Sequence, residues 1–242
     1  MRILRSAVLL LVAATPLAAQ SSRFSLTPLA GWSGSSPLLQ HTVRINEGTF
    51  AYTSEERVTL GSALNLGARL GVQLSPGWTL YLQGTSARSR FTYRDFTTER
   101  DASGVESAGT RRRTDDATSS TATLELARSF ALAPGGADLE LSVGGGLQHI
   151  SLALGEPPCE MEETPCLVQL PSPVLAPLDV PSVVAGLALR QPIGRALSAE
   201  VRSTLLLGRL NTEGFQTVWE HEAPAHQMVR RLQASFGLSW RP

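Results

Sequence analysis

Between Ser62 and Ser75, the apolar residues Leu64, Leu66, Ala68, Leu70, Val72 and Leu74 alternate without interruption with Asn65, Gly67, Arg69, Gly71 and Gln73. The β pleat sends successive side chains to opposite faces, so a period of two marks a strand with one apolar and one polar face. A half-buried strand of a soluble sheet reads the same way over a shorter run. Recurrence carries the constraint. Unbroken aliphatics on one side and an arginine-bearing polar set on the other, repeated at this length along a chain, specify a transmembrane β-barrel in which lipid replaces the apolar core.

The same alternation predicts eight strands. The first runs from Arg23 to Ser33 with Phe24, Leu26, Pro28, Ala30 and Trp32 on one face, and the second is the stretch above. The third begins at Trp78 and ends near Phe91 and Tyr93. The fourth covers Thr118 to Leu132, and the fifth runs from Leu139 to about Leu154. Val183 to Gln191, Leu197 to Leu207 and Arg231 to Trp240 complete the set. Ser75-Pro76-Gly77, Ala133-Pro134-Gly135-Gly136 and Gln191-Pro192-Ile193-Gly194 are short turns, since Pro presets φ and Gly tolerates positive φ. Polar stretches near 34–61, 94–117, 155–181 and 208–226 are predicted as long loops. Connections therefore alternate long and short, as in outer-membrane barrels, where short turns and both termini are periplasmic and long loops face outside. Phe24, Trp78, Phe130 and Trp240 fall at the predicted periplasmic ends, and Trp32, Phe91 and Tyr93 toward the outer rim, where interfacial girdles belong.

The beginning of the chain fits this destination. Arg2 and Arg5 precede the apolar run Ala7 to Ala14, and Pro16-Leu17-Ala18-Ala19 offers small residues for cleavage near residue 20, the form of a secretory signal peptide. That run is shorter than the roughly 20 apolar residues a membrane helix needs. Residues 21–242 then form one barrel domain. Basic and acidic residues both number 21, with no basic patch for nucleic acid. Cys159 and Cys166 lie in a Pro- and Glu-rich loop of an exported chain, a spacing that suits a disulfide better than zinc. No metal or cofactor is expected.

In topology, from Arg23 to Trp240, the chain resembles the small eight-stranded outer-membrane barrels of the outer-membrane protein A transmembrane domain and outer-membrane protein X type. Its last strand, Leu232 to Trp240, is similar to the aromatic-ended strand that the barrel assembly machinery recognises in that superfamily, although Arg241 and Pro242 follow the aromatic. The resemblance implies an all-β, antiparallel, up-and-down transmembrane barrel in the outer membrane, monomeric, in contact with lipid and lipopolysaccharide.

An eight-stranded lumen is just wide enough for side chains to fill it, so an open pore is not expected. Arg69, Gln73, Gln83, Glu125, Glu140, Glu200, Arg202, Arg231 and Gln233 have inward parity and form the predicted polar network. Function then falls to the loops, which present a surface to a ligand on a rigid scaffold. An enzyme is not the favoured expectation, with one pattern to weigh against it. His149 and Ser151 share lipid-facing parity near the outer end of the fifth strand and look like the histidine and serine of lipid A deacylases. Leu152 stands where that family has asparagine, and the predicted sixth strand offers no outward carboxylate to orient the histidine. Further alternatives are transport of a small molecule and a soluble lipocalin-like barrel. The latter would have its apolar face inside, and parity alone does not distinguish the two.

Overall fold

The computed structural model describes residues 23–152, 178–211 and 226–241. The predicted signal peptide, both cysteines and most of the third and fourth predicted loops lie outside the described residues.

Ten strand segments make one antiparallel sheet: β1 (Phe24–Ser33), β2 (Ser36–Glu47), β3 (Phe50–Leu60), β4 (Ala63–Ser75), β5 (Trp78–Arg100), β6 (Glu106–Ala131), β7 (Asp138–Leu152), β8 (Leu178–Pro192), β9 (Leu197–Asn211) and β10 (His226–Trp240). β1 pairs with both β4 and β10, and β5 with both β4 and β6, so β1, β4, β5, β6, β7, β8, β9 and β10 close an eight-stranded ring. Closure removes the unpaired edges that an open sheet would expose. β4 holds 13 residues and β7 to β10 hold 15 each, against the roughly 9–11 that a tilted strand needs to cross a bilayer.

The segments expected to be long loops near 34–61 and 94–117 are instead largely strands; in the first, the chain turns at Gly48, as the hairpin signal Asn46-Glu47-Gly48 within Thr42 to Thr53 predicts. β2 and β3 form a hairpin that continues β1 and β4 beyond Gly34-Ser35 and Gly61-Ser62, and β3 docks on the outer half of β5. β5 and β6 stay in register from Trp78↔Arg128 to Arg100↔Glu106. The predicted third strand therefore ends too early and the fourth starts too late. Charged residues hid these extensions because nothing apolar alternates on the outside of a strand that has left the membrane.

Short turns at Pro76-Gly77, 132–137 and 193–196, the start of β1 and the end of β10 lie at one end of the ring, with Gly77 and Gly135 at positive φ of 77° and 68°. Phe24, Phe130 and Trp240 are exposed on the outer wall at this end, and Arg128 stacks over Trp78 at 5.0 Å from the ring centroid. Trp32 is exposed toward the opposite end. Phe91 and Tyr93 are corrected: their side chains point inward, Phe91 fully buried and Tyr93 packed against the internal apolar cluster.

Polarity is inverted in the lower part of the barrel. Leu64, Val143, Val183 and Val201 are about 60% exposed (61%, 60%, 60% and 59%), whereas Arg69, Glu125 and Glu200 are 0% exposed in the lumen. A lipocalin-type barrel has the reverse arrangement. Above the ring's midsection the sense changes along the same strands. On β5 the outward set passes from Leu80 and Leu82 to Arg88, Arg90 and Arg94, while the inward set passes from Tyr81 and Gln83 to Phe91. Leu38, Leu60, Phe91, Ile150, Val180, Leu210 and Val229 converge inside this outer end as an apolar plug. On the β3–β4 wall the exchange is made by Gly61-Ser62, across which Val58 and Leu60 point inward but Leu64 and Leu66 outward.

Candidate functional site

The charged lumen combines bonds between neighbouring strands, such as Arg190 to Glu200 directly opposite it, with bonds that cross the barrel between strands three apart. From β4, Arg69 pairs with Glu200 on β9 and donates Nη1 to Oε1 of Glu140 on β7 at 3.4 Å. From β9, Arg202 pairs with Glu125 on β6 and places Nη1 3.3 Å from Glu140 Oε1. Arg190 on β8 reaches both Glu140 and Glu200 at 3.1 Å. Tyr81 donates its hydroxyl to Glu140 Oε2 at 2.7 Å, accepts from Arg190 at 2.7 Å, and lies under the Arg69 guanidinium at 4.0 Å from the ring centroid. Three carboxylates thus face three guanidiniums, with Thr123 and Ser142 donating to Glu125 at 2.9 and 2.7 Å. Such matching is what permits charge away from water.

Of the residues read from sequence, Arg69, Glu125, Glu140, Glu200 and Arg202 come together here. Gln83 and Gln233 are buried in the lumen. Arg231 is buried and, among the described residues, donates only to Ser119, with no partner there for Nε and Nη2. Gln73 sits apart at the short-turn end, contacting the Ser75 carbonyl at 3.5 Å. Sequence reasoning missed Tyr81, Arg190 and Ser142. Arg190 was hidden because its face of β8 otherwise carries Val184, Gly186 and Ala188, which do not read as a polar face. The reason for a small residue there is spatial: a Cβ at Gly186 would lie 2.5 Å from Nη2 of Arg202, and one at Gly71 would lie 2.5 Å from the Tyr81 ring.

The outer wall carries a second arrangement. Ser86, Ser120, His149 and Asp179 stand directly opposite one another on β5, β6, β7 and β8, forming the first polar row above the lipid-facing leucines. His149 Nδ1 is 2.7 Å from Asp179 Oδ1, both side chains being exposed. The expectation that no outward carboxylate meets the histidine is overturned, because β8 begins at Leu178, earlier than its apolar period indicates. Ser151 lies two residues beyond His149 with the same outward parity. No cluster of metal-binding side chains is found among the described residues.

An eight-stranded ring with an aliphatic exterior and an ion-paired interior defines the class of small outer-membrane β-barrels. Among solved structures the chain is similar to Neisserial surface protein A, with a TM-score of 0.52 and 8% identity over 92% of this chain and 98% of that one. It is also similar to the outer-membrane protein OprG from Pseudomonas aeruginosa, with a TM-score of 0.45 and 9% identity over 90% of this chain and 95% of that one. At 8% identity the likeness to Neisserial surface protein A is one of fold. No family model and no curated protein matches the sequence.

Proposed function

We propose that the chain is an outer-membrane barrel with a sealed lumen that acts through its outer end, where the β2–β3 and β5–β6 hairpins project. The observation that carries this reading is the exchange of polarity along single strands: apolar-out in one segment, apolar-in beyond it. The first segment matches hydrocarbon outside and the second matches water outside, so the boundary between them is a membrane surface. Two seals support a closed lumen, the ion-paired network and the apolar plug stacked on it. The short turns and termini then face the periplasm.

Expression with the native leader followed by fractionation tests the reading. The protein is expected in the outer-membrane fraction, resistant to urea extraction and heat-modifiable on gels, with no stepwise conductance in planar bilayers. Recovery as a soluble periplasmic protein would overturn it, and stable conductance steps would overturn the sealed lumen.

The His149–Asp179 hydrogen bond favours a second reading, ester hydrolysis on lipid at the outer rim. Asp179 orients the imidazole through Nδ1 and leaves Nε2 to take a proton from Ser151 or Ser120 as its hydroxyl attacks an acyl ester; the ester C–O bond breaks, the imidazolium gives the proton to the departing alkoxide, and water deprotonated by the same imidazole hydrolyses the acyl-serine to free fatty acid. The expected sign is fatty acid released from outer-leaflet lipid by the wild type and abolished in His149→Asn. Identical lipid acylation with and without the protein, read by mass spectrometry, would end this reading.

A further inference from the structure

On the outward face beyond the His149 row, the wall formed by β3, β5 and β6 is cationic. Arg57, Arg94 and Arg112 are direct cross-strand partners, Arg57↔Arg94 and Arg94↔Arg112, so three guanidiniums share one row. Nearer the membrane segment, Arg88 and Arg90 face outward on the same strand as Arg94, opposite Thr118 and Asp116. Like charges placed directly opposite one another are unfavourable in a sheet. No ion pair to any of these five arginines is found among the described residues.

The surface is also shaped. A notch of about 690 Å³ lined by Gly61, Ser62, Arg88, Arg90, Asp116 and Thr118 adjoins a second of about 550 Å³ lined by Arg57, Thr59, Thr92, Arg94 and Arg112, and the two share Gly61. One groove thus climbs the wall with five arginines against the single carboxylate Asp116, and Glu55 stands at its upper edge.

We infer that this groove binds the phosphates of a phosphorylated glycolipid of the outer leaflet. The inference rests on the membrane reading above, and to the expected contact with lipopolysaccharide it adds a defined site. The lower end of the groove meets the lipid-facing side chains Leu64 and Leu66, so an occupant with acyl chains below and anionic groups above fits both chemistries at once. Its extent selects among lipids. At about 3.3 Å per residue, Arg88 lies about 7 Å along the strand beyond Ser86 and Arg94 about 26 Å beyond it, roughly 20 Å in height at the usual tilt. A glycerophospholipid headgroup occupies only about 5–8 Å outside the hydrocarbon, within reach of Arg88 and Arg90 alone. Engaging Arg57, Arg94 and Arg112 as well requires phosphates carried up a saccharide headgroup, held by guanidinium forks suited to phosphate oxygens.

The test uses the full-length barrel refolded into vesicles, wild type and Arg57→Gln/Arg94→Gln/Arg112→Gln, whose exposed side chains leave the fold intact by heat-modified mobility. Native mass spectrometry then counts retained lipid from phosphorylated core glycolipid, the same glycolipid after phosphatase treatment, and phosphatidylglycerol. The wild type is expected to retain the phosphorylated glycolipid at least tenfold better than either comparator, weakening with added salt, and the triple variant to lose that margin. Equal retention by the variant, or equal retention of the dephosphorylated form, would overturn the site. Binding of a soluble sulfated glycan without preference for the glycolipid would overturn the lipid assignment. A wild type that stays water-soluble would overturn the membrane reading itself, an outcome separate from an inserted barrel that fails to discriminate lipids.

Discussion

Glu140 is the hub of the lumen, and its removal gives the sharpest test of how the barrel is held together. Its carboxylate accepts from Tyr81 at 2.7 Å, Arg190 at 3.1 Å, Arg202 at 3.3 Å and Arg69 at 3.4 Å, and the residue is 1% exposed. Neutralising it leaves Arg69, Arg190 and Arg202 facing Glu125 and Glu200 alone among buried side chains. Removing one member of a buried ion pair costs about 3–5 kcal/mol, because the partner charge is left uncompensated. Glu140→Gln keeps the shape and an acceptor, so it belongs at the lower end, near 3 kcal/mol; Glu140→Ala also leaves a void and belongs near 5 kcal/mol, both as rough values. The exposed pair Arg100–Glu106 serves as the control. Glu106→Gln should change stability by less than about 1 kcal/mol, as surface pairs do. Urea unfolding of the vesicle-inserted protein, followed by tryptophan fluorescence, reads the difference. If Glu140→Ala unfolds at the same urea concentration as the wild type, the cross-lumen network is not what stabilises the barrel.

Two further outcomes follow from the geometry. Glu56 on the outer hairpin is held above the usual carboxylate range, first by burial and then by Asp95 directly opposite it, with the Tyr93 hydroxyl at 3.3 Å opposing the shift. The folded state therefore binds its proton more tightly than the unfolded state, and hairpin stability is greatest at acid pH and falls as pH rises from the ordinary carboxylate value through the raised one. Glu56→Gln should protect the β3–β5 amides at neutral pH and flatten their pH dependence in hydrogen exchange; an unchanged slope would refute this. In the run Gly144-Gly145-Gly146, a Cβ at Gly144 would lie 2.0 Å from the Leu124 carbonyl oxygen, whereas one at Gly145 meets nothing nearer than 3.8 Å. Gly144→Ala should lower the unfolding midpoint and Gly145→Ala leave it unchanged, and equal midpoints would show that the backbone yields there.

How much was legible in the chain follows from how each signal is encoded. Alternation is local, so eight strands, their order and the three short turns could be read directly from runs such as Leu64 to Leu74. The inward parity of Arg69, Glu125, Glu140, Glu200 and Arg202 was legible for the same reason. Tyr81 was not recognised as a member of the network, because partnership across a lumen depends on closure and leaves no mark at fixed spacing; Arg190 faces Glu200 across the β8–β9 hairpin but was masked by the apolar Val184 and Ala188 on its face. Gly186 and Gly71 are informative only once Arg202 and Tyr81 are seen beside them. Phe91 read as an interfacial aromatic because its position along the chain is right; only its direction is inward.

By itself the sequence determined a two-faced strand, repeated until it could close on itself. It left open which face is the inside, because a period of two is symmetric between the faces. The tertiary structure decided that question twice over. Closure puts Arg69 and Glu200 in the lumen and Leu64 and Leu66 outside, and then, past Gly61-Ser62, puts Leu60 and Phe91 inside and Arg57 and Arg94 outside. The physical reason is that each segment must match its own surroundings, hydrocarbon below and water above, while a single continuous sheet passes through both.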